Sequence, residues 1–168
     1  MNLKDYYLTV AFIGFIFSIV FLFLVPLTPI NEPVAYAYQG KEISLLFPVG
    51  ISFSAAIDFF IYIILYILFS SNEINMTQAI IDGLGLSFVV LNYTNYFMIW
   101  YVWKPSMTIL PLFILIKFDG IKSLQLDLGQ IVIILLGYRA YRRIRKPHLP
   151  PGPEKTISNE GPQQGGAQ

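Results

Sequence analysis

Residues 6–25 read YYLTVAFIGFIFSIVFLFLV, and this stretch decides the class of the molecule. No charged residue occurs in it, nor anywhere between Asp5 and Glu32. About 20 apolar residues, at roughly 1.5 Å each, cross the ~30 Å hydrocarbon core of a bilayer. Pro26, Pro29 and Pro33 then end the helix and open a loop, because proline lacks the backbone N–H that a helix interior uses. A secretory signal is the competing reading, since Ala35-Tyr36-Ala37 resembles a cleavage site. The apolar run is longer than the roughly 7–15 residues of a signal core, and the site lies too far beyond it. The segment is therefore expected to be a transmembrane helix.

The composition agrees. Of 168 residues, 55% are hydrophobic and 12% charged, against about 25% charged in ordinary globular chains, and the mean hydropathy is +0.62. A water-soluble fold, a disordered chain and a nucleic-acid binder with a basic face are all effectively excluded. With no cysteine, disulfides, iron–sulfur clusters, thiolate-ligated zinc and cysteine nucleophiles are excluded too.

Charged residues fence off the remaining spans. Ile43 to Ser71 is interrupted only by Asp58, and the crossing is expected over 53–70 after an interfacial lead-in at Pro48 and Gly50. A third span is expected over 77–100, with Asp82 near its start. Trp100, Tyr101 and Trp103 beside Lys104-Pro105 form an aromatic belt at its far end. The run Met107–Ile116 is too short to cross. Asp119-Gly120 is a turn signal and Leu124–Leu128 alternates, so 106–126 reads as an interfacial hairpin or a short amphipathic segment. The last span is expected over 127–143. The fold expected is thus an all-α integral-membrane bundle of four transmembrane helices over 1–146. A Pro/Gly/Gln-rich tail, 147–168, should be disordered alone, having little apolar surface to bury.

Orientation follows from Arg139, Arg142, Arg143, Arg145 and Lys146, a basic cluster that should stay cytoplasmic while its long side chains snorkel to headgroups. Four spans then put both termini inside, as expected of a multi-pass cell-membrane protein. A five-span alternative, crossing at 107–122, would put the N-terminus outside. A weak repeat at a shift of 70 residues lays Gly50-Ile51 on Gly120-Ile121 and Ile63–Leu65 on Ile133–Leu135, with Asp58 one place from Asp127. Parallel repeats of this kind occur in transporters.

The motifs that would carry chemistry are missing from the sequence. His148 is the one histidine and lies in the tail, so no span offers a haem or metal ligand pair. Phosphate-loop, dinucleotide, metalloprotease and serine-hydrolase patterns do not occur. No cofactor is expected, and the chain by itself is not expected to be an enzyme. Asp58 is the most informative residue. A carboxylate there must face the bundle or a partner, and no basic residue lies in the interior of any expected span to pair with it. It reads as an interhelical or intersubunit hydrogen-bond site, or else as a proton or cation site. Asp82 sits where it can serve the positive end of its helix. Asn92, Thr94 and Asn95, with Tyr93 and Tyr96, form a polar patch that glues helices at about 0.6 kcal/mol each, and Asp127 opens the last span. Gly14 with Ser18, Ser52 with Ala56, and Gly83 with Ser87 mark close helix contacts.

These features point first to a non-catalytic accessory or structural subunit of a larger integral-membrane complex, most plausibly a respiratory or other energy-transducing one. Its partners would be the bilayer and other membrane subunits. The alternative is a small oligomeric ion- or proton-coupled transporter or channel using Asp58.

Overall fold

Each apolar run becomes a helix whose ends are set by the flanking polar residues. The computed structural model describes residues 1–27, 34–36, 42–44, 46–71, 73–118 and 120–145. Helix α1 spans Leu3–Phe23. Asn2 caps it by accepting from the Asp5 amide at 2.7 Å, and it closes in a short 3₁₀ turn, Val25–Leu27, that contains Pro26. Helix α2 spans Leu46–Phe69, starting earlier than expected because Pro48 falls in the first turn, where its missing N–H costs nothing. Helix α3 spans Met76–Trp103, capped by Asn75, whose side chain accepts from the Gln78 amide at 2.9 Å. It ends at Lys104 with φ of 50°, just before Pro105, which disfavours the helical conformation in its predecessor. Helix α4 spans Leu128–Arg145.

The four helices overlap the four apolar segments marked out in the sequence. Those over 3–27 and 46–69 are long and apolar enough to cross a membrane. Helix α3 is less apolar because it is the central helix: α1, α2 and α4 all pack on it, and it carries the polar groups they share. Helix α4 carries Arg139, Arg142, Arg143 and Arg145. The α1–α3 approach is close, since a Cβ on Gly83 would lie 2.5 Å from Ile13 Cγ2. From the other side, a Cβ on Gly14 would lie 3.1 Å from the Gly83 carbonyl oxygen. The Ser52 and Ala56 pair, by contrast, is exposed and makes no close helix contact; Ser54 and Ala55 are buried instead.

The expectation of an all-α chain is corrected by two small sheets. Strands β1 (Val34–Tyr36) and β2 (Glu42–Ser44) pair antiparallel between α1 and α2. Strands β3 (Ser106–Leu110), β4 (Phe113–Phe118) and β5 (Ile121–Leu126) form an antiparallel meander between α3 and α4. So 106–126 is neither a lone hairpin nor an amphipathic helix. Gly120, at φ of 79°, makes the β4–β5 turn that the sequence signalled, whereas Asp119 lies outside the described residues. The β3–β4 turn carried no such signal. It joins paired residues Leu110 and Phe113 through Pro111-Leu112, with Leu112 at φ of 64°, a conformation that favours glycine.

Candidate functional site

Three buried polar layers are stacked along α3. At one end Asp82 is held by two arginines from α4. Arg139 Nε lies 2.9 Å from Asp82 Oδ1, and Arg143 Nη1 donates to Oδ2. The Tyr6 hydroxyl of α1 donates to the same Oδ2 at 2.6 Å. Arg139 also donates to Ser70 Oγ at 2.8 Å and to Gln78 Oε1. Gln78 Nε2 in turn donates to the last α2 carbonyl, Phe69, at 2.6 Å. The guanidiniums are 3% and 5% exposed by residue and lie over aromatic rings, Arg143 at 4.5 Å from the Tyr6 centroid and Arg139 at 5.2 Å from Tyr66. Such contacts strengthen when desolvated.

This layer overturns two expectations. Arg139 and Arg143 do not snorkel to a headgroup surface: they turn inward because Asp82 offers a counter-charge. Asp82, seven residues into α3, is the centre of an ion cluster rather than a partner for the helix N-terminus. Arg142 and Arg145 do lie on the exposed flank, beside Tyr138 and Tyr141. Lys146, His148 and the tail 147–168 lie outside the described residues.

At the opposite end Asp127 is fully buried and caps α4, accepting from the Gly129 amide at 3.0 Å. Asn92 Nδ2 donates to it at 3.0 Å, the Tyr93 hydroxyl at 3.2 Å and Gln130 Nε2 at 3.1 Å. A carboxylate can accept several bonds, and here neutral donors supply them. Gln130 also clamps the β3–β4 turn: its Oε1 accepts from the Leu112 amide at 2.9 Å and its Nε2 donates to the Leu110 carbonyl at 3.0 Å. From the expected patch, Asn92 and Tyr93 join Asp127. Thr94 turns back to the Val90 carbonyl, and the Asn95 amide oxygen is buried without a partner. Trp100 is exposed and Trp103 half-buried near the end of α3.

Between these layers lies Asp58 of α2, 0% exposed, with neither carboxyl oxygen in a hydrogen bond. Ser54, Tyr62 and Ser87 are equally buried, and their hydroxyls are also unpartnered. The antiparallel α2–α3 register brings Ser87 level with Asp58, while Tyr62 lies nearer Tyr66 and the Asp82–Arg139 pair. The Tyr62 ring packs on Gly85, where a Cβ would lie 2.9 Å from Cε2, and Phe59 meets Phe88 at 4.8 Å between centroids.

Sequence reading missed Tyr6, Gln78 and Gln130 as bonding partners, and Ser54 and Ser87 as neighbours of Asp58. A signal for part of this existed: Ser54, Asp58, Tyr62, Tyr66 and Ser70 recur every four residues, which places them on one helix face. Among the described residues no three His, Cys, Asp or Glu side chains converge on a point. Comparison with family models, with curated proteins and with solved structures gives no match.

Proposed function

We propose that this chain is a non-catalytic structural subunit of a larger integral-membrane complex, of the respiratory or other energy-transducing kind. The observation that carries the reading is how its polar and apolar groups are divided. Its interior polar side chains at both ends are spent on joining its own helices. Its outer helix faces are apolar and open, with Phe12, Phe15, Phe60, Ile64, Ile67 and Ile134 all exposed. A surface of that kind suits lipid and neighbouring membrane helices.

In this proposal all four helices cross the bilayer, with both termini cytoplasmic. The Asp82 cluster supports it, because Tyr6 near the start of α1, Ser70 after α2, Gln78 near the start of α3 and Arg139 toward the end of α4 all meet there. Alternating helix ends gathered at one level are what an up-down bundle with an even number of crossings requires, and this supports the reading. Helices α3 and α4 cross with their charges turned inward and mutually neutralised, which lowers the cost of placing them in hydrocarbon.

The test is gentle detergent extraction of the full-length chain from its native membrane, followed by mass analysis of what co-purifies. The expected result is a stoichiometric set of other membrane proteins. A lone monomer overturns the reading, and a lone homo-oligomer favours transport instead.

A further inference from the structure

We propose that Ser54, Asp58 and Ser87 form a site for one monovalent cation, either a proton on the carboxyl or a sodium-sized ion held by the same oxygens. The first support is Asp58 itself. It is 0% exposed and neither of its oxygens has a partner, and a buried carboxylate needs compensation. No charged neighbour supplies it; the one side chain that acts on the carboxyl is the Ser87 hydroxyl. Helix α3 presents Ser87 at its level, and Tyr62, one turn further along α2, faces Tyr66, Arg139 and Asp82 rather than Asp58. The nearest charges on α3, Asp82 with Arg139 and Arg143, lie five residues further along, roughly 8 Å by helical rise. Those arginines are already engaged with Asp82, and Asp127 belongs to the opposite end.

The second support is the behaviour of the hydroxyls. Thr9, Ser18, Ser52 and Thr94 each donate to the carbonyl four residues earlier in their helix, the usual resting place for a helical hydroxyl. Ser54 and Ser87 are fully buried and do not. The two helical hydroxyls level with Asp58 are therefore not spent on their own backbone. One carboxylate with neutral oxygens matches a single positive charge. A divalent ion draws on more carboxylates and six or more oxygens.

The inference is independent of the subunit reading, and its test requires no co-purifying partner. The full chain is placed in lipid nanodiscs as wild type, Asp58→Asn and Ser87→Ala. Thermal unfolding is followed as sodium chloride replaces choline chloride at fixed ionic strength. Infrared difference spectra are recorded across pH for the stretch of a protonated carboxyl. If the ion is sodium, the wild-type midpoint rises saturably with sodium, Asp58→Asn does not respond, and Ser87→Ala requires severalfold more. If it is a proton, the wild type shows a protonated-carboxyl band that is lost at high pH, absent in Asp58→Asn and displaced in Ser87→Ala. Should Asp58→Asn fail to fold, Ser87→Ala keeps the carboxyl and carries either comparison alone. A wild type indifferent to sodium, with no buried carboxyl band at any pH, overturns the proposal, as does a Ser87→Ala protein identical to wild type in both measurements.

Discussion

The two ends of the bundle hold buried carboxylates by opposite means. Asp82 is compensated by full positive charges from far along the chain, with Arg143 61 residues away and Tyr6 76 residues away. Asp127 is compensated by neutral donors, two of them within three residues on its own helix. The first arrangement ties the four helices together at one level. The second is mainly a helix start with a turn and part of α3 fastened to it. Distance in sequence and the type of compensating group go together for a physical reason. A cap can only be built locally, whereas a charge deep in a bundle needs a counter-charge from whichever helix faces it.

The sharpest way to break this contrast is at Asp82. Asp82→Leu leaves Arg139 and Arg143 buried with no counter-charge, and removing one partner of a buried ion pair costs about 3–5 kcal/mol. The expected outcome is a large loss of thermal stability in detergent or nanodiscs. Adding Arg139→Leu and Arg143→Leu to the same chain should recover much of it, because a fully apolar layer carries no desolvation cost. An Asp82→Leu protein as stable as wild type would show that the cluster contributes nothing to holding the helices.

The helices were legible because charge is so sparse. The uncharged runs between Asp5 and Glu32, between Glu42 and Glu73 apart from Asp58, and between Asp82 and Lys104 set their positions, and Asp127 opened the last. The β4–β5 turn was legible through Gly120. The β3–β4 turn was not, because Leu112 adopts a conformation that no local feature of its own favours. Gln130 and Asp127 hold it from α4, with the Asp127 amide donating to the Leu112 carbonyl at 2.9 Å. The arginines were misread for a related reason. A basic cluster closing an apolar run looks alike whether its side chains turn outward or inward, and only the facing Asp82 decides between them. Asp58 stood out in the sequence as an acid inside an apolar run, but its hydroxyl neighbours on two helices needed the register of α2 on α3.

Asp127 offers the intermediate effect and sharpens the comparison. Asp127→Asn keeps a capping oxygen, and asparagine caps as well as aspartate, so the expected cost is about 1 kcal/mol or less. Asp127→Ala removes the cap and leaves the Asn92 and Tyr93 donors buried without an acceptor, for about 2 kcal/mol. The matching Asp82→Asn should cost distinctly more than Asp127→Asn, because at that end the charge itself is the bond. Equal losses from the two asparagine variants, read by thermal unfolding under one condition, would erase the distinction.

The smallest effect is expected at Gln130, and it is local. Its side chain bonds the backbone on both sides of Pro111-Leu112, offsetting the cost of Leu112 at φ of 64°, which for a non-glycine residue is roughly 1–2 kcal/mol. Gln130→Ala removes both bonds and one donor to Asp127 while leaving Asn92, Tyr93 and the Gly129 amide in place. The turn is near solvent, so water replaces part of what is lost, and the global cost should be about 1 kcal/mol. The informative measurement is amide hydrogen exchange. The Leu112 amide, which donates to Gln130, should exchange much faster in Gln130→Ala, while the Ala79 amide, bonded to Asn75 at the arginine end, should keep its wild-type rate. Faster exchange at both ends would mean that the two polar layers are not independent and that the bundle opens as one unit.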